Sequence, residues 1–396
     1  MKSEFLDLGM QPVANKFLSS YSQIDGEYKY RLAVTFDDET KLVSLGGFVP
    51  PEMMFNDSYV YHSSMSDTMR NHFRQAAENF IDDLNPNSVL EIGSNDGVFL
   101  RHFPTKSTIA VEPCNNFANI TNKMGYYTIP SFWDTETSDK ILAEKGEQDL
   151  IFSANCICHI QNLEEALESV SRVLSERGVF VFEDPSLLQM IQRGSYDQIY
   201  DEHAHVFSVT ALQNLLNAAN LEIFRVQKLD VHGGSNRIFA SPRHTRVVEE
   251  SVHEHLNEEQ LFGLGSFETY LRFGLRIQQS KEQLLDTLRE LKRKGNKIIS
   301  YGATSKSTTV FNYCGITTEL IDYIVDTTLA KQKKLSPGVH IPVISPEEGF
   351  DRSVDYAFLG AWNFESEIVN KEKSFLEKGR FISHVPYVRF IGGESD

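Results

Sequence analysis

The run Val89-Leu90-Glu91-Ile92-Gly93-Ser94-Asn95-Asp96-Gly97 constrains this chain more than any other stretch, because it reads as an apolar strand that breaks into a turn of small and acidic residues before a helix. A strand, glycine turn and helix in that order belong to layered α/β folds, where the turn is the place at which a ligand meets the backbone. A dinucleotide fingerprint spaces its glycines G-x-G-x-x-G so that amides and a helix N-terminus can hold a pyrophosphate. Here Asn95 takes the position of the second glycine, and Asp96 adds a charge that repels phosphate. The turn suits a ligand with a cation and an amino-acid group and no phosphate. S-adenosylmethionine is such a ligand, and Glu91, Gly93, Asn95 and Asp96 are its candidate contacts. Such turns also serve packing alone, so the downstream spacing decides the reading.

About 20 residues on, where an acid that grips a ribose is expected at the end of the second strand, the chain reads Thr108-Ile109-Ala110-Val111-Glu112-Pro113. Glu112 is the candidate for the ribose hydroxyls. A fourth strand, Asp149-Leu150-Ile151-Phe152-Ser153-Ala154-Asn155, leaves through the polar Asn155, another candidate cofactor contact. After a helical stretch over 163–174, Gly178-Val179-Phe180-Val181-Phe182-Glu183-Asp184-Pro185 forms a fifth. This alternation predicts a parallel, doubly wound, Rossmann-like sheet whose strand ends face one crevice. Phe132 and Trp133, after the third strand, are placed to stack on the adenine, although buried aromatics more often serve packing.

With 396 residues the chain has room for two or three domains. No apolar run approaches the ~20 residues that cross a bilayer, and the N-terminus lacks a basic-then-apolar export signal, so a cytoplasmic protein without a membrane partner is expected. The cysteines Cys114, Cys156, Cys158 and Cys314 form neither a disulfide framework nor a paired C-x-x-C zinc site. A net charge of −17 opposes a nucleic-acid partner. Local basic runs at Lys292-Arg293-Lys294 and Lys331-Gln332-Lys333-Lys334 could still hold a small anion, although such runs are usually solvated faces.

Four regions are expected. Residues 1–70 hold short strand-like runs, too little for an independent core, and read as a small N-terminal module; residues 71–245 form the cofactor domain, opening with a helix over 69–84. Residues 246–295 are a helical connector, with one long amphipathic helix over 261–294 whose apolar stripe is Leu271, Leu275, Leu284, Leu288 and Leu291. Residues 296–396 begin a second α/β unit. Its Ile298-Ile299-Ser300-Tyr301-Gly302-Ala303-Thr304-Ser305-Lys306-Ser307 is again strand, glycine turn and helix start, now with hydroxyls and a cation that suit a phosphate or pyrophosphate. Gly302, Thr304, Lys306, Ser307 and Lys331 are therefore candidate substrate contacts. The spacing is not that of a P-loop.

Candidate chemistry lies in Tyr196-Asp197-Gln198-Ile199-Tyr200-Asp201-Glu202-His203-Ala204-His205, too polar for a core strand and too aromatic for an ordinary loop. A histidine beside a carboxylate is the usual way to poise a base near neutral pH, and no zinc spacing is present. The residues alone leave a surface helix cap equally open. Cys158-His159, and Tyr59-Val60-Tyr61-His62-Ser63-Ser64 before the first helix, aim further polar groups at the same crevice, or else pack and cap.

Together these blocks resemble the sugar C-methyltransferases of deoxysugar biosynthesis, which methylate C-3 of a dTDP-4-keto sugar on the way to mycarose, noviose or tetronitrose. The resemblance runs nearly end to end: Phe5-Leu6-Asp7-Leu8-Gly9-Met10-Gln11-Pro12, Tyr61-His62-Ser63-Ser64, Glu91-Ile92-Gly93, Cys158-His159-Ile160, Phe182-Glu183-Asp184-Pro185, Asp197 through His203, Val231-His232-Gly233-Gly234, Tyr301-Gly302-Ala303-Thr304, and Pro337-Gly338-Val339-His340-Ile341-Pro342-Val343.

The resemblance implies a small zinc module, a central class I S-adenosylmethionine-dependent methyltransferase domain and a C-terminal Rossmann-like domain that helps hold the nucleotide sugar. It places the base on His203, with Tyr200 and Glu202 positioning it or supporting enolate charge and with Tyr61 and His159 nearby. Tyr59, His62, Ser63, Glu183 and His232 are expected at the substrate. The family's zinc module uses two cysteine pairs; this chain begins too late for the first, and Asp37 and Thr40 stand where the second would be, so no metal is expected. The expected partner is a nucleotide-linked 4-keto sugar, carrying dTDP or else GDP or CDP, and the protein is expected as a monomer or weak dimer. Two alternatives stay open: an O- or N-methyltransferase of a nucleotide sugar, and a non-catalytic nucleotide-sugar-binding protein.

Overall fold

Val89–Ile92 is an inner strand of a seven-stranded sheet, with every residue buried, because the sheet is covered on both faces and its inner strands are largely apolar. In the computed structural model, which describes residues 1–351 and 353–392, the sheet order is Leu221–Leu229, Ser235–Pro242, Leu174–Pro185, Gln148–Ala154, Val89–Ile92, Thr108–Val111 and Tyr127–Ile129. The five strands from Leu174–Pro185 to Tyr127–Ile129 run parallel. Ser235–Pro242 runs antiparallel to both of its neighbours. Apolar layers cover both faces of the sheet. On one face Phe99 stacks on Phe152 with ring centroids 4.0 Å apart.

Helix Asp67–Leu84 starts two residues before the sequence expectation because Ser66 caps it, its side chain accepting from the Met69 amide. It buries Met69, Phe73, Ala76, Ala77 and Phe80, the spacing of one helical face.

The second α/β unit is a seven-stranded sheet in the order Lys334–Leu335, Pro342–Ile344, Ile324–Val325, Ile298–Tyr301, Tyr356–Leu359, Arg380–Ser383 and Arg389–Ile391, with an antiparallel strand at each edge. Ile298–Tyr301 pairs in parallel with Ile324–Val325 and Tyr356–Leu359, so its C-terminal turn opens at the middle of the sheet.

The N-terminal residues form an antiparallel sheet of Lys2–Pro12, Lys29–Asp37, Val43–Leu45 and a fourth strand from far along the chain, His205–Val206. Leu6, Leu32, Val34 and Phe36 share one core with Tyr270, Leu284 and Leu288 of the connector and Val310 and Phe311 of the C-terminal unit.

The single helix expected over 261–294 is two helices, Glu250–Phe262 and Phe267–Arg293. Gly263 breaks it by adopting φ +87°, a left-handed conformation that ends the first helix and costs glycine no side-chain clash. The apolar stripe also differs. Leu271 and Leu275 are 41% and 62% exposed, and Tyr270, Phe273 and Ile277 pack inward ahead of Leu284, Leu288 and Leu291. The leucine series places the first two turns on the wrong face because the larger aromatics fill the groove beside the N-terminal sheet. Among the described residues no helix is long and apolar enough to cross a membrane.

Gly263→Ala is expected to cost about 1–2 kcal/mol of stability, the scale of forcing a Cβ into the left-handed region, read as a lower urea midpoint with an unchanged m-value.

Candidate active site

The turn after Val89–Ile92 closes through backbone: the Gly93 and Ser94 amides both donate to the Val111 carbonyl, 2.8 and 3.3 Å away. Gly93 sits at φ +75°, and a Cβ there would come 2.6 Å from Cys156 Sγ. Glu112, at the end of the adjacent strand, accepts from the Asn95 amide at 2.7 Å and the Cys114 amide at 2.9 Å. Burial raises the Glu112 carboxyl above its usual range, and these amides oppose the rise. Glu112, Asn95, Gly93 and Asn155 border a cleft of about 430 Å³, with Phe132 and Trp133 on one wall. Trp133 is also a core residue, and its indole donates to the Ala166 carbonyl at 3.0 Å.

Two of the expected cofactor contacts act from behind this surface. Glu91 is buried, with Oε2 unpartnered, and burial beside Glu112 and Asp96 pushes its carboxyl well up. Asp96 accepts from the Ser64 amide and hydroxyl and lies 3.5 Å from His62 Nδ1. Neither acid borders the cleft. Asn95 ties the loop to the segment before the first helix: its side chain donates to the Tyr61 carbonyl and accepts from the Ser63 amide. That brings Tyr59, Tyr61 and Ser63 to the cleft wall, while His62 turns to Asp96 and packs edge-on against Phe117.

The opposite wall is the polar segment 196–205. His203 Nδ1 lies 2.6 Å from the Gln198 carbonyl, which can only accept, so Nδ1 carries the proton and Nε2 is the free acceptor, facing the Tyr200 hydroxyl at 2.9 Å. Burial, with His159 and Lys306 near, pushes the imidazolium well below 6.5, so the ring is neutral. His159 stacks between Phe55 and His203, at 5.3 and 5.4 Å, and burial lowers it to about 3.

Glu202 is held at both oxygens. Asn15 Nδ2 donates to Oε1 at 2.6 Å, and the Tyr59 hydroxyl to Oε2 at 3.0 Å. Burial raises the Glu202 carboxyl; those bonds and the Lys331 and Lys306 ammonium groups counteract it. Asp201 accepts from the Ala14 amide at 3.0 Å, and burial beside Glu202 pushes it well above the carboxylate range. Asn15, which carries no signal in the sequence beyond following the Gln11-Pro12 block, is thus a site residue brought by the N-terminal module.

The far end of the cleft is lined by Thr304, Ser305, Lys306, Lys331 and His232. Lys331 Nζ donates to the Ala303 carbonyl at 2.7 Å, and burial lowers both lysines. Besides His62, three expected substrate contacts are elsewhere. Ser307 is buried inside the capping box of helix Ser305–Cys314 with Thr304, and Gly302 lies behind the cleft, closing the turn with its amide on Val325. Glu183 is fully engaged by Arg237 at 2.7 Å and His72 at 2.6 Å and does not reach the cleft.

Cys158, His159 and His203 bring three possible metal ligands within 4.8 Å of one another. Burial beside Asp184 pushes the Cys158 thiol well above its usual value. The cleft gathers imidazoles, carboxyls and phenols whose chemistry allows acid–base work on a small molecule.

A sheet in which the last strand is reversed and inserted second from the edge, with a Gly93-type turn over Glu112, defines a class I methyltransferase. Its glycine turn free of Cβ, the Glu112 carboxyl at the end of the second strand and its aromatic wall all border the cleft and fit S-adenosylmethionine, the cofactor of this class. Comparison with known proteins agrees. Residues 61–226 match a methyltransferase domain, residues 230–386 a C-methyltransferase C-terminal domain, and residues 1–55 a putative zinc binding domain. The chain is 32% identical to the C-methyltransferase NovU of Streptomyces niveus, over 99% of its own length and 95% of that protein's. It belongs to this C-methyltransferase family.

Among solved structures, a possible histamine N-methyltransferase of Thermotoga maritima shares 20% identity over 43% of this chain and 91% of its own, with a TM-score of 0.32. Magnesium protoporphyrin IX methyltransferase of Synechocystis, with bound S-adenosylhomocysteine, shares 8% over 46% and 89%, with a TM-score of 0.34. At such scores the sheet order carries the fold assignment.

The residues of the N-terminal module do not fit zinc. Residues 1–55 contain no cysteine and no histidine, the donors of structural zinc sites. At the hairpin where a ligand pair would sit, Asp37 instead accepts from the Glu39 amide at 3.0 Å and pairs with the N-terminal ammonium at 3.5 Å.

Gly93→Ala is expected to weaken S-adenosylmethionine binding at least about tenfold, since the added methyl meets Cys156 Sγ and Cβ within 2.9 Å and a 1.4 kcal/mol clash already gives that factor. Titration calorimetry checks it.

Proposed function

We propose that the protein transfers a methyl group to C-3 of a 4-keto sugar linked to a nucleoside diphosphate, through an enolate formed by His203. The observation that carries this reading is the locked neutral imidazole: His203 borders the cleft with Nδ1 committed to Gln198 and Nε2 free to take a proton.

Bound S-adenosylmethionine supplies an electrophilic methyl on a sulfonium whose leaving group is a neutral thioether. The acceptor carbon must become nucleophilic, and a C–H beside a ketone can. His203 Nε2 takes the C-3 proton, and the C–H electron pair moves into the enolate with charge on the C-4 oxygen. The Tyr200 hydroxyl donates to Nε2 in the resting site; its O–H turns to the C-4 oxygen as charge develops there. Burial, with Glu202 near, keeps that hydroxyl protonated, so it serves as donor only. Glu202, fixed by Asn15 and Tyr59, holds the opposite wall and balances the lysines.

The half-buried Lys306 and Lys331, with Thr304 at the start of helix Ser305–Cys314, support a diphosphate at the far end. The nucleotide, dTDP or else GDP or CDP, is not distinguished by these groups, which read charge. The division of labour among residues 1–70, 71–245, 246–295 and 296–396 follows: lid and wall, cofactor, brace, and nucleotide end.

Incubation with labelled cofactor and paired 4-keto and 4-hydroxy nucleotide sugars tests the reading. Methylation of carbon is expected only for the ketones, and methylation of a hydroxyl in the reduced sugars overturns it. His203→Asn is expected to lower turnover by about 10²–10⁴-fold, the usual contribution of a general base, with calorimetric cofactor binding retained.

The pH profile has a defined sign. Protonation of His203 removes the base, and its pKa is held well below 6.5, so kcat/KM is expected to stay level down through pH 6.5 and fall only at more acid pH. An acid limb centred at or above 6.5 removes His203 from the role.

A further inference from the structure

Asp197 opens the catalytic segment and has no part in the chemistry above, yet its carboxylate is among the most buried in the protein. Its residue is 0% exposed. Burying a carboxylate is expensive unless it is well paired. Both of its side-chain partners come from the C-terminal unit: the Trp362 indole donates to Oδ2 at 2.6 Å, and His384 Nε2 lies 3.5 Å from the same oxygen. Asp197 Oδ1 has no hydrogen-bond partner. An arginine in a bidentate pair would satisfy a buried carboxylate better, so stability alone does not account for this arrangement.

The neighbourhood shows what it controls. The residue after Asp197 is Gln198, whose carbonyl holds His203 Nδ1 and thereby sets both ring orientation and tautomer. The next, Ile199, accepts at its carbonyl from Thr309 Oγ1 of helix Ser305–Cys314, at 3.2 Å. Trp362 is wedged from the other side: a Cβ on Gly233 would lie 2.4 Å from its ring. Gly233 follows His232, which borders the cleft and is held at φ +54°. Ala361, Asn363 and Phe364, the residues flanking Trp362, border the cleft as well.

We propose that Asp197 is a positioning residue that acts through Trp362, latching the turn that orients the His203 ring to the C-terminal loop 361–364, so that this cleft-lining loop and the base hold one geometry. This rests on the functional reading above only in naming His203 as the base. The contacts make the C-terminal unit part of the base's support in addition to a wall of the cleft. The prediction is that loosening the latch slows proton transfer while leaving the cofactor site, across the cleft, intact.

Two mild variants test it in the full-length protein. Trp362→Phe keeps an aromatic side chain but removes the N–H donor together with the outer ring atoms that face Gly233; Asp197→Asn keeps the shape and removes the charge, and so separates the latch from ring packing. Each is expected to lower kcat about 10- to 100-fold, the scale of one hydrogen bond to a charged group. The KM of the methyl acceptor and the calorimetric dissociation constant of S-adenosylmethionine should stay within about threefold, where a merely structural loss would spread to all three.

Amide hydrogen exchange in the ligand-free protein is the second measurement, and it needs no substrate. Exchange over residues 196–205 should rise at least about tenfold in both variants, while residues 89–97 keep wild-type protection. Wild-type exchange over 196–205 in both variants overturns the latch, as does a kcat loss matched by an equal loss of cofactor binding. Should the wild-type enzyme turn over no 4-keto nucleotide sugar, the functional reading fails, and the exchange measurement still decides the latch.

Discussion

The structure depends on how one buried polar stretch, residues 196–206, is held. It carries Tyr200, Glu202 and His203 into the interior, where unpaired polar groups are costly, and its polar side chains find partners in the N-terminal module, the C-terminal unit and the segment itself. Asp197 is bound by the C-terminal unit, Asp201 and Glu202 by Ala14 and Asn15 of the N-terminal module, and His203 by the segment's own Gln198 carbonyl. The stretch then leaves the methyltransferase domain altogether and becomes a strand of the N-terminal sheet, Ser44 facing His205 and Val43 facing Val206. The Leu45 amide closes the junction on the Ala204 carbonyl at 2.9 Å.

The two α/β units meet this stretch with turns of the same construction. Gly93 donates its amide to Val111, and Gly302 donates its amide to Val325, each at 2.8 Å. Glu112 and Asp326 end the adjacent strands, and each carboxylate accepts backbone amides from the turn and from the residue two places further on. What distinguishes the turns is charge. Glu112 borders the first, with Glu91 and Asp96 behind it; Lys306 and Lys331 stand beside the second and suit phosphate. On the proposed function, one backbone device would serve two ligands of opposite charge.

Much of this was legible in the residues. The parallel sheet follows from apolar runs such as Val89 to Ile92 and Phe180 to Phe182, which only a strand covered on both faces requires. The turn chemistry follows from Gly93 and Glu112 at their spacing. The break at Gly263 was missed because helix periodicity continues across it, and the inward face of Phe267–Arg293 was missed because leucines occur on both faces. Glu183 is expected at the substrate only through the resemblance of its block; Arg237 and His72, from a strand and a helix distant in the chain, pair with it instead. Asn15 and Trp362 carry no local pattern, since each becomes functional only through a partner more than a hundred residues away.

The alternation of strands and helices in a parallel sheet and the cofactor turn were set by sequence alone, because they rest on local hydrophobic pattern and glycine conformation. Which nitrogen of His203 is free, which acids face the cleft and which are spent on neighbours, and how three modules share one core were decided only by the tertiary structure. Those properties are relations between groups far apart in the chain, and burial gives them their strength.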